Sequence, residues 1–219
     1  MSDFPLVVLA SGRGSNLQAI IDAVNSGQLP AEVKAVISDK KDAKALNIAR
    51  EGGIDAFWVD PKGYGDKAGY EQALMELIGN YCPRVLVLAG FMRVLSPRFV
   101  RRMECPIINI HPSLLPAFAG LDPHQKTLDG GVRYSGCTVH FVDEGVDTGP
   151  IIMQRVVPVY QTDDAEALSD RILKEEHILF PEVLKWLALG LVKREGRKVV
   201  IENEEGLSYE QESVDQSFG

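Results

Sequence analysis

Asn109 and His111 stand two residues apart in the stretch IINIHPSLLP, residues 107–116. Three isoleucines mark the stretch as a buried strand, and residues two apart in a strand point to one side of the pleat. An amide N–H and an imidazolium N–H aimed at one point can stabilise the oxyanion that forms when a carbonyl becomes tetrahedral. His111 can also move protons near neutral pH. Downstream, HFVDEGVDTGPII (140–152) places Asp143, Glu144 and Asp147 in a loop between two apolar runs. A carboxylate from that loop beside His111 is expected to favour the charged ring and raise its pKa. Ser113 lies in no G-x-S-x-G setting, so direct transfer of an acyl group to an amine suits these residues better than covalent hydrolysis. Taken singly, each has a structural alternative: Asn109 as a turn former, His111 as a strand-end ring satisfied by backbone. Together, ahead of an S-L-L-P turn and with an acidic loop in reach, they point to catalysis.

A second group lies near the start. Ser11-Gly12-Arg13-Gly14-Ser15-Asn16 follows the apolar run PLVVLAS (5–11) and precedes a helical pattern. A helix N-terminus at that place offers free N–H groups and a positive dipole end, both suited to a phosphate. Small residues allow close approach, and Ser15 and Asn16 can add side-chain donors. A dinucleotide site with Asp39 on a ribose is one alternative, but Leu17 stands where the third glycine of G-x-G-x-x-G belongs, and the turn lacks a P-loop lysine. A tight turn with a helix cap is the other alternative. The loop weakly favours a single phosphate.

Elements in α/β order carry these residues. After PLVVLAS, the helical pattern LQAIIDAVNSG is ended by Gly27; EVKAVISD (32–39) is a second strand, residues 43–53 a second helix, and DAFWVD (55–60) a third strand. A glycine-rich loop over 61–69 leads to a helix over 70–82 and to RVLVLAGF (84–91), apolar enough to be buried on both faces as in a parallel sheet. This series predicts an α/β fold with a doubly wound, mostly parallel sheet and right-handed crossovers. Beyond residue 111 the pattern changes to strands TVHFVDEG and PIIMQRVVPV, a long helix over 164–190 that Pro181 should kink or break, and a hairpin over 191–201 turning at E-G-R. Antiparallel strands are therefore expected in the C-terminal half. Residues 1–202 read as one domain, and the acidic stretch 203–219 as a disordered tail with no catalytic duty.

Composition narrows the function classes. The net charge of −8 argues against a nucleic-acid partner, which would call for a basic face. No stretch approaches the roughly 20 apolar residues that span a bilayer, and the opening residues do not read as a signal peptide. Cys82, Cys105 and Cys137 are odd in number and lack a C-x-x-C spacing, which fits reduced thiols and a cytoplasmic location.

Several long motifs, in order, resemble the folate-dependent formyltransferases: S-G-R-G-S-N-L-Q-A-I-I-D-A (11–23), L-A-G-F-M-R-V-L-S-P (88–97), N-I-H-P-S-L-L-P (109–116) and V-D-E-G-V-D-T-G-P-I-I (142–152). The first two are most similar to the branch that formylates phosphoribosylglycinamide in purine synthesis. The resemblance covers about residues 5–190 and implies a Rossmann-like formyltransferase fold. It implies 10-formyltetrahydrofolate as formyl donor, no metal, and small-molecule partners only, in a monomer or homodimer. By position, Asn109 and His111 would polarise the formyl oxygen, and Asp147 would tune His111 and relay protons. Gly14, Ser15 and Asn16 would hold the substrate phosphate, and Glu176 the ribose hydroxyls. On the folate side, Met92, Arg93, Val94 and Leu95 would offer backbone groups to the pterin. Leu88, Val94, Leu95, Phe99 and Val100 would line its slot, although by periodicity they read as core. Lys67 would stand near the folate glutamate, keeping the charge of the arginine found in many relatives without its bidentate grip, and Asp143 would lie on the same side.

The chain departs from the family at Asp122, where some relatives carry histidine, and at Leu173, where a substrate-side lysine is expected; Lys174 or Arg171 could substitute. His140 reads as a satisfied core histidine inside a strand, and His177 as structural. A formyltetrahydrofolate deformylase, in which water replaces the amine, is the nearest alternative function. A non-catalytic phosphoribosyl or folate sensor is a further one, against which the complete Asn109, His111 and Asp147 set counts. A methionyl-tRNA formyltransferase would be expected to add a C-terminal domain and a basic surface.

Overall fold

The computed structural model describes residues 4–202. The tail expected over 203–219 lies outside the described residues. Among the described residues, nine strands and six α-helices follow in chain order: β1 Pro5–Leu9, α1 Ser15–Asn25, β2 Glu32–Ser38, α2 Lys44–Glu51, β3 Asp55–Trp58, α3 Lys67–Gly79, β4 Val85–Leu88, α4 Pro97–Arg102, β5 Ile107–His111, α5 Pro123–Asp129, β6 Tyr134–Phe141, β7 Ile151–Pro158, α6 Ala165–Ala188, β8 Val192–Glu195 and β9 Lys198–Ile201. Seven strands form one sheet in the order β3-β2-β1-β4-β5-β6-β7. β1 to β5 run parallel, whereas β5–β6 and β6–β7 are antiparallel. The fold is the doubly wound, mostly parallel α/β sheet with C-terminal antiparallel strands.

Alternation along the strands divides the core in two. Leu6 and Val8 of β1, Val85 and Val87 of β4, and Ile108 and Ile110 of β5 pack with Leu17, Leu46 and Leu179 of α1, α2 and α6. Val7, Leu9, Leu86, Leu88 and Ile107 face the other way, onto Tyr70 and Leu74 of α3 and Phe99 of α4. Every residue of β4 is buried, as its unbroken apolar run predicts. Chain order reverses at β1, since β2 lies on one side and β4 on the other; a doubly wound sheet opens its ligand crevice at such a point, beyond the strands' carboxyl ends.

Local chemistry explains where element limits differ from the sequence reading. α3 begins at Lys67, inside the expected glycine-rich loop, because the Asp66 carboxylate caps it by accepting from the Gly69 N–H at 2.8 Å. α6 is not broken at Pro181. Proline removes one intrahelical donor there, but Leu179, Phe180, Val183 and Leu184 around it are fully buried, and that packing carries the helix through. α4 and α5 were not evident as periodic patterns. They are short and open on Pro97 and Pro123, which suit a first helical turn. The terminal hairpin forms as expected, with Gly196 in the left-handed region at its turn. Among the described residues no helix is long and apolar enough to cross a membrane.

Candidate active site

Asn109 and His111 share the α3/α4 side of the sheet at the carboxyl end of β5, between residues that face the opposite core. The loop from β6 to β7 brings Asp147 to them. Its Oδ2 lies 3.3 Å from His111 Nδ1 and its Oδ1 3.5 Å from Asn109 Nδ2. Asp147 takes a left-handed conformation, φ 54°, which a short polar side chain tolerates better than most. Gly149 keeps this loop in place: a Cβ there would fall 1.7 Å from the Phe141 carbonyl oxygen, so no side chain fits.

Two further groups join the cluster. His140 of β6 is the antiparallel partner of Asn109. Its Nδ1–H donates to the Phe141 carbonyl at 2.9 Å, which leaves Nε2 to accept from Asn109 Nδ2 at 3.1 Å. The same Nε2 stands 3.7 Å from Asp147 Oδ1. His140 is buried and satisfied, as expected of a core histidine, but it also belongs to the cluster and orients the Asn109 amide. From the segment after β5, the Gly120 N–H donates to Asp147 Oδ2 at 2.8 Å, and the Phe118 carbonyl lies 3.0 Å from His111 Nε2. Leu115 N–H and Thr138 Oγ1, 3.0 Å apart, tie this segment down onto β6.

The electrostatics correct one expectation. The His111 pKa lies below the ordinary histidine value: burial depresses it, and this outweighs the opposing influence of Asp147 and of the Phe118 carbonyl. Both ring nitrogens nonetheless face acceptors, a demand that one N–H of a neutral ring cannot meet twice. Burial works to raise the Asp147 carboxyl, but the His140 contact, the Gly120 N–H and the charge on His111 outweigh it, so its pKa is lowered.

The α1 turn builds the second part of the site. Gly14 has φ 77°, and a Cβ there would lie 2.8 Å from Ala45 Cα, so α2 packs directly against the turn. No side chain caps α1, leaving the N–H groups of its first turn, from Ser15 and Asn16, without intrahelical partners. Asn16 Nδ2 donates to Glu176 Oε2 at 2.8 Å across 160 residues of sequence, while the buried Asn16 Oδ1 has no hydrogen-bond partner among the described residues. Burial pushes the Glu176 carboxyl up to about 7, against the pull of Asn16 and Arg13. Burial holds the pKa of His124 of α5 below the ordinary histidine value, and the charges of His111 and Arg13 push it the same way.

A stability consequence follows from Glu176. Its folded pKa lies above its ordinary 4.5, so as pH rises the unfolded chain loses this proton first. The folded state is therefore favoured most below pH 4.5 and loses about 3 kcal/mol of that advantage by pH 7. Glu176→Gln should flatten the slope of unfolding free energy across that window, read from denaturant midpoints at a series of pH values; an unchanged slope would contradict the buried-carboxyl account.

The remaining sequence candidates gather beyond β1 and β4. Leu88 is the β4 partner of Asn109. Ser11 Oγ donates to Asp39 Oδ1 at 2.6 Å and accepts from Met92 N–H at 2.9 Å, which fixes the 89–96 loop. This also engages Asp39, buried and tied to Ser11, so it is not a free ribose ligand. Arg93 stacks over Tyr70 at 5.2 Å and stands 4.0 Å from Asp39. Met92 and Val94 are exposed, whereas Leu88, Leu95 and Phe99 belong to the core. Lys67 is half-exposed, 3.7 Å from the buried Glu71, which accepts from the Ser96 N–H and hydroxyl. Asp143 is engaged within its own loop by Gly145 N–H and Thr148 Oγ1, and Glu144 pairs with Arg101. Of the three loop carboxylates, Asp147 is the one placed on His111. Among the described residues no group of three or more His, Cys, Asp or Glu side chains is arranged to hold a metal ion.

Known proteins share this arrangement of chain. The family described as formyl transferase matches residues 5–184. A phosphoribosylglycinamide formyltransferase of Escherichia coli is 43% identical over 188 residues, 86% of this chain and 89% of that protein. A trifunctional purine biosynthetic protein of Bos taurus is 44% identical, but the chain spans only 19% of its length. The crystal structure of glycinamide ribonucleotide transformylase 1 from Symbiobacterium toebii superposes with TM-score 0.88 at 45% identity, covering 90% of this chain and 93% of that one. A formyltetrahydrofolate deformylase from Pseudomonas syringae is more distant, at 30% identity and TM-score 0.83, with 65% of its chain covered. With the family pattern running through β1 to α6 and one continuous sheet carrying the Asn109, His111 and Asp147 cluster, the chain belongs to the formyl transferase family.

Proposed function

We propose that this protein transfers the formyl group of 10-formyltetrahydrofolate to the glycinamide amine of phosphoribosylglycinamide, a metal-free step of purine synthesis in the cytoplasm. The observation that carries the reading is the convergence of Asn109 and His111 with Asp147 at the carboxyl end of β5. The high identity to proteins named for that reaction supports the choice of substrate.

The chemistry follows from the donors. The Asn109 amide has two N–H bonds: His140 holds one, and the other faces Asp147 across a long 3.5 Å, free enough to turn to a formyl oxygen. His111 Nε2, now against the Phe118 carbonyl, becomes the second donor once that contact opens and the ring has taken up a proton. Attack by the amine on the formyl carbon builds negative charge on the formyl oxygen, where both donors act. The attacking nitrogen must then lose a proton while the folate nitrogen gains one. A neutral His111 that keeps its Nδ1–H on Asp147 can take that proton on Nε2 near neutrality; the Nε2–H so gained donates to the oxyanion and then passes to the folate nitrogen, while Asp147 steadies the charged ring. The α1 N-terminus would take the substrate phosphate. Asn16 Oδ1, buried without a partner, and Glu176 beside it are suited to ribose hydroxyls that donate to them. The Met92–Leu95 loop and Leu88, next to Asn109, would receive the folate.

Ser15→Ala should raise KM for phosphoribosylglycinamide about ten-fold with kcat nearly intact, because the phosphate is bound alike in ground and transition states. Steady-state kinetics in each substrate check it, and a kcat loss without a KM change would remove Ser15 from the phosphate site. The function itself is tested by spectrophotometric release of tetrahydrofolate. Release that requires phosphoribosylglycinamide supports the reading; equal release without it would make the protein a deformylase, and none at all would leave a sensor.

A further inference from the structure

Beside the α1 turn, and separate from the Asn16–Glu176 pair, lies a cavity of about 410 Å³ walled by the β1–α1 and β2–α2 turns. That volume falls within the roughly 300–1,000 Å³ of small-ligand sites. Its lining holds Arg13, Lys40, Lys41 and Lys44 against one carboxylate, Asp42. Such a surplus of three positive charges is unexpected on a chain of net charge −8. None of these four cations has a carboxylate within ion-pair distance among the described residues. Lys41 places its ammonium 5.5 Å from the centroid of Trp58, an indole 42% exposed to solvent. Like charges gathered without counter-charges repel one another, and packing does not require them, since all four side chains are exposed. The walls themselves are fixed: Ala45 N–H donates to the Gly12 carbonyl at 3.2 Å, and Gly14 meets Ala45 in direct contact. α2 begins in this wall without a side-chain cap, so first-turn N–H groups add to the positive field.

We propose that this cavity is a second anion site, which takes a diphosphate group, borne by a nucleoside diphosphate or as free pyrophosphate. A phosphate monoester carries at most about two negative charges, fewer than the lining supplies, whereas a diphosphate matches it. The site lies over the carboxyl ends of β1 and β2, the edge on which such sheets bind ligands. It is distinct from the substrate phosphate position, which uses the first-turn N–H groups of α1 on the side facing Glu176. Arg13 borders both, since its charge acts on Glu176 and it also lines the cavity. Occupancy would therefore be felt at the substrate site.

Trp58 supplies a direct readout. A diphosphate that draws Lys41 from the indole should change Trp58 fluorescence, and Trp58→Phe should abolish the change and exclude Trp186, the other tryptophan. The full-length protein would be titrated with pyrophosphate, ADP and AMP, without metal, at two ionic strengths. Expected are saturable signals for pyrophosphate and ADP, with AMP weaker by about ten-fold or more, and weakening of all three with salt. ADP tighter than pyrophosphate would assign the ligand to the nucleoside diphosphates through stacking on Trp58; equal affinities would assign it to the diphosphate alone. The double variant Lys41→Ala/Lys44→Ala should lose about ten-fold or more in affinity for pyrophosphate, as measured by calorimetry, while formyl transfer without added diphosphate is unchanged. Ser15→Ala should leave diphosphate affinity unaffected. The proposal is overturned by non-saturable titrations, by affinity that survives loss of both lysines, or by pyrophosphate binding that depends on Ser15 instead.

Discussion

His111→Ala lowers kcat for formyl transfer by about 10³-fold while leaving both KM values within a few-fold of the parent. Two roles are lost together, an oxyanion donor and the acceptor for the amine proton, and both matter more in the transition state than in the ground state. The contacts proposed for the substrate phosphate and ribose at Ser15, Asn16 and Glu176 do not pass through His111, so ground-state binding should persist. Because His111 is buried at the carboxyl end of β5, truncation also leaves a small cavity, and a thermal melt separates that cost from the catalytic one. Retention of near-parental kcat would remove His111 from the mechanism.

Asp147→Asn is the second large effect, roughly 10²-fold or more in kcat. The substitution keeps the shape of the side chain but removes the charge that faces His111 at 3.3 Å, and it alters the pairing that accepts from Gly120 N–H. Its signature is in the pH profile. Asp147 raises the His111 pKa against a larger depression by burial, so removing that charge lets the pKa fall further. The acid limb of kcat/KM, where protonated His111 cannot take the amine proton, should therefore move to lower pH in the variant. A limb that stays in place or moves upward would show that Asp147 does not act through His111.

Much of the framework was legible in the sequence. The continuous apolar run that became β4, the Gly27 stop after α1 and the E-G-R hairpin turn are local signals, and local signals suffice for them. Asn109 and His111 could be set on one side of β5 because strand periodicity is strict. The rest depends on which strands pair and what folds over their ends. His140 reads as core until its register opposite Asn109 is known, since nothing local ties residues 31 apart. The Gly120 N–H and Phe118 carbonyl are backbone groups with no residue signature at all. The His111 pKa went the other way from the sequence expectation for the same reason: proximity of Asp147 could be inferred from the acidic loop, but burial under the 112–122 segment could not. Pro181 shows the converse case, in which a strong local breaker is outweighed by the buried residues on either side of it. Asp122 stands at the start of α5 in the left-handed region with no side-chain cap, and nothing in the structure explains this departure from the histidine that the family resemblance leads one to expect.

The most direct measurement of the central claim is the fate of an isotopically labelled formyl group in a single turnover. Enzyme in excess would be mixed with labelled 10-formyltetrahydrofolate and phosphoribosylglycinamide, and the label partitioned between the formylated amine and formate. If Asn109, His111 and Asp147 serve amine attack, the label appears on the glycinamide nitrogen, formate stays at the level of the enzyme-free control, and omission of the amine leaves the donor intact. Label appearing as formate at the same rate with or without the amine would contradict the account, because the cluster would then be directing water to the formyl carbon.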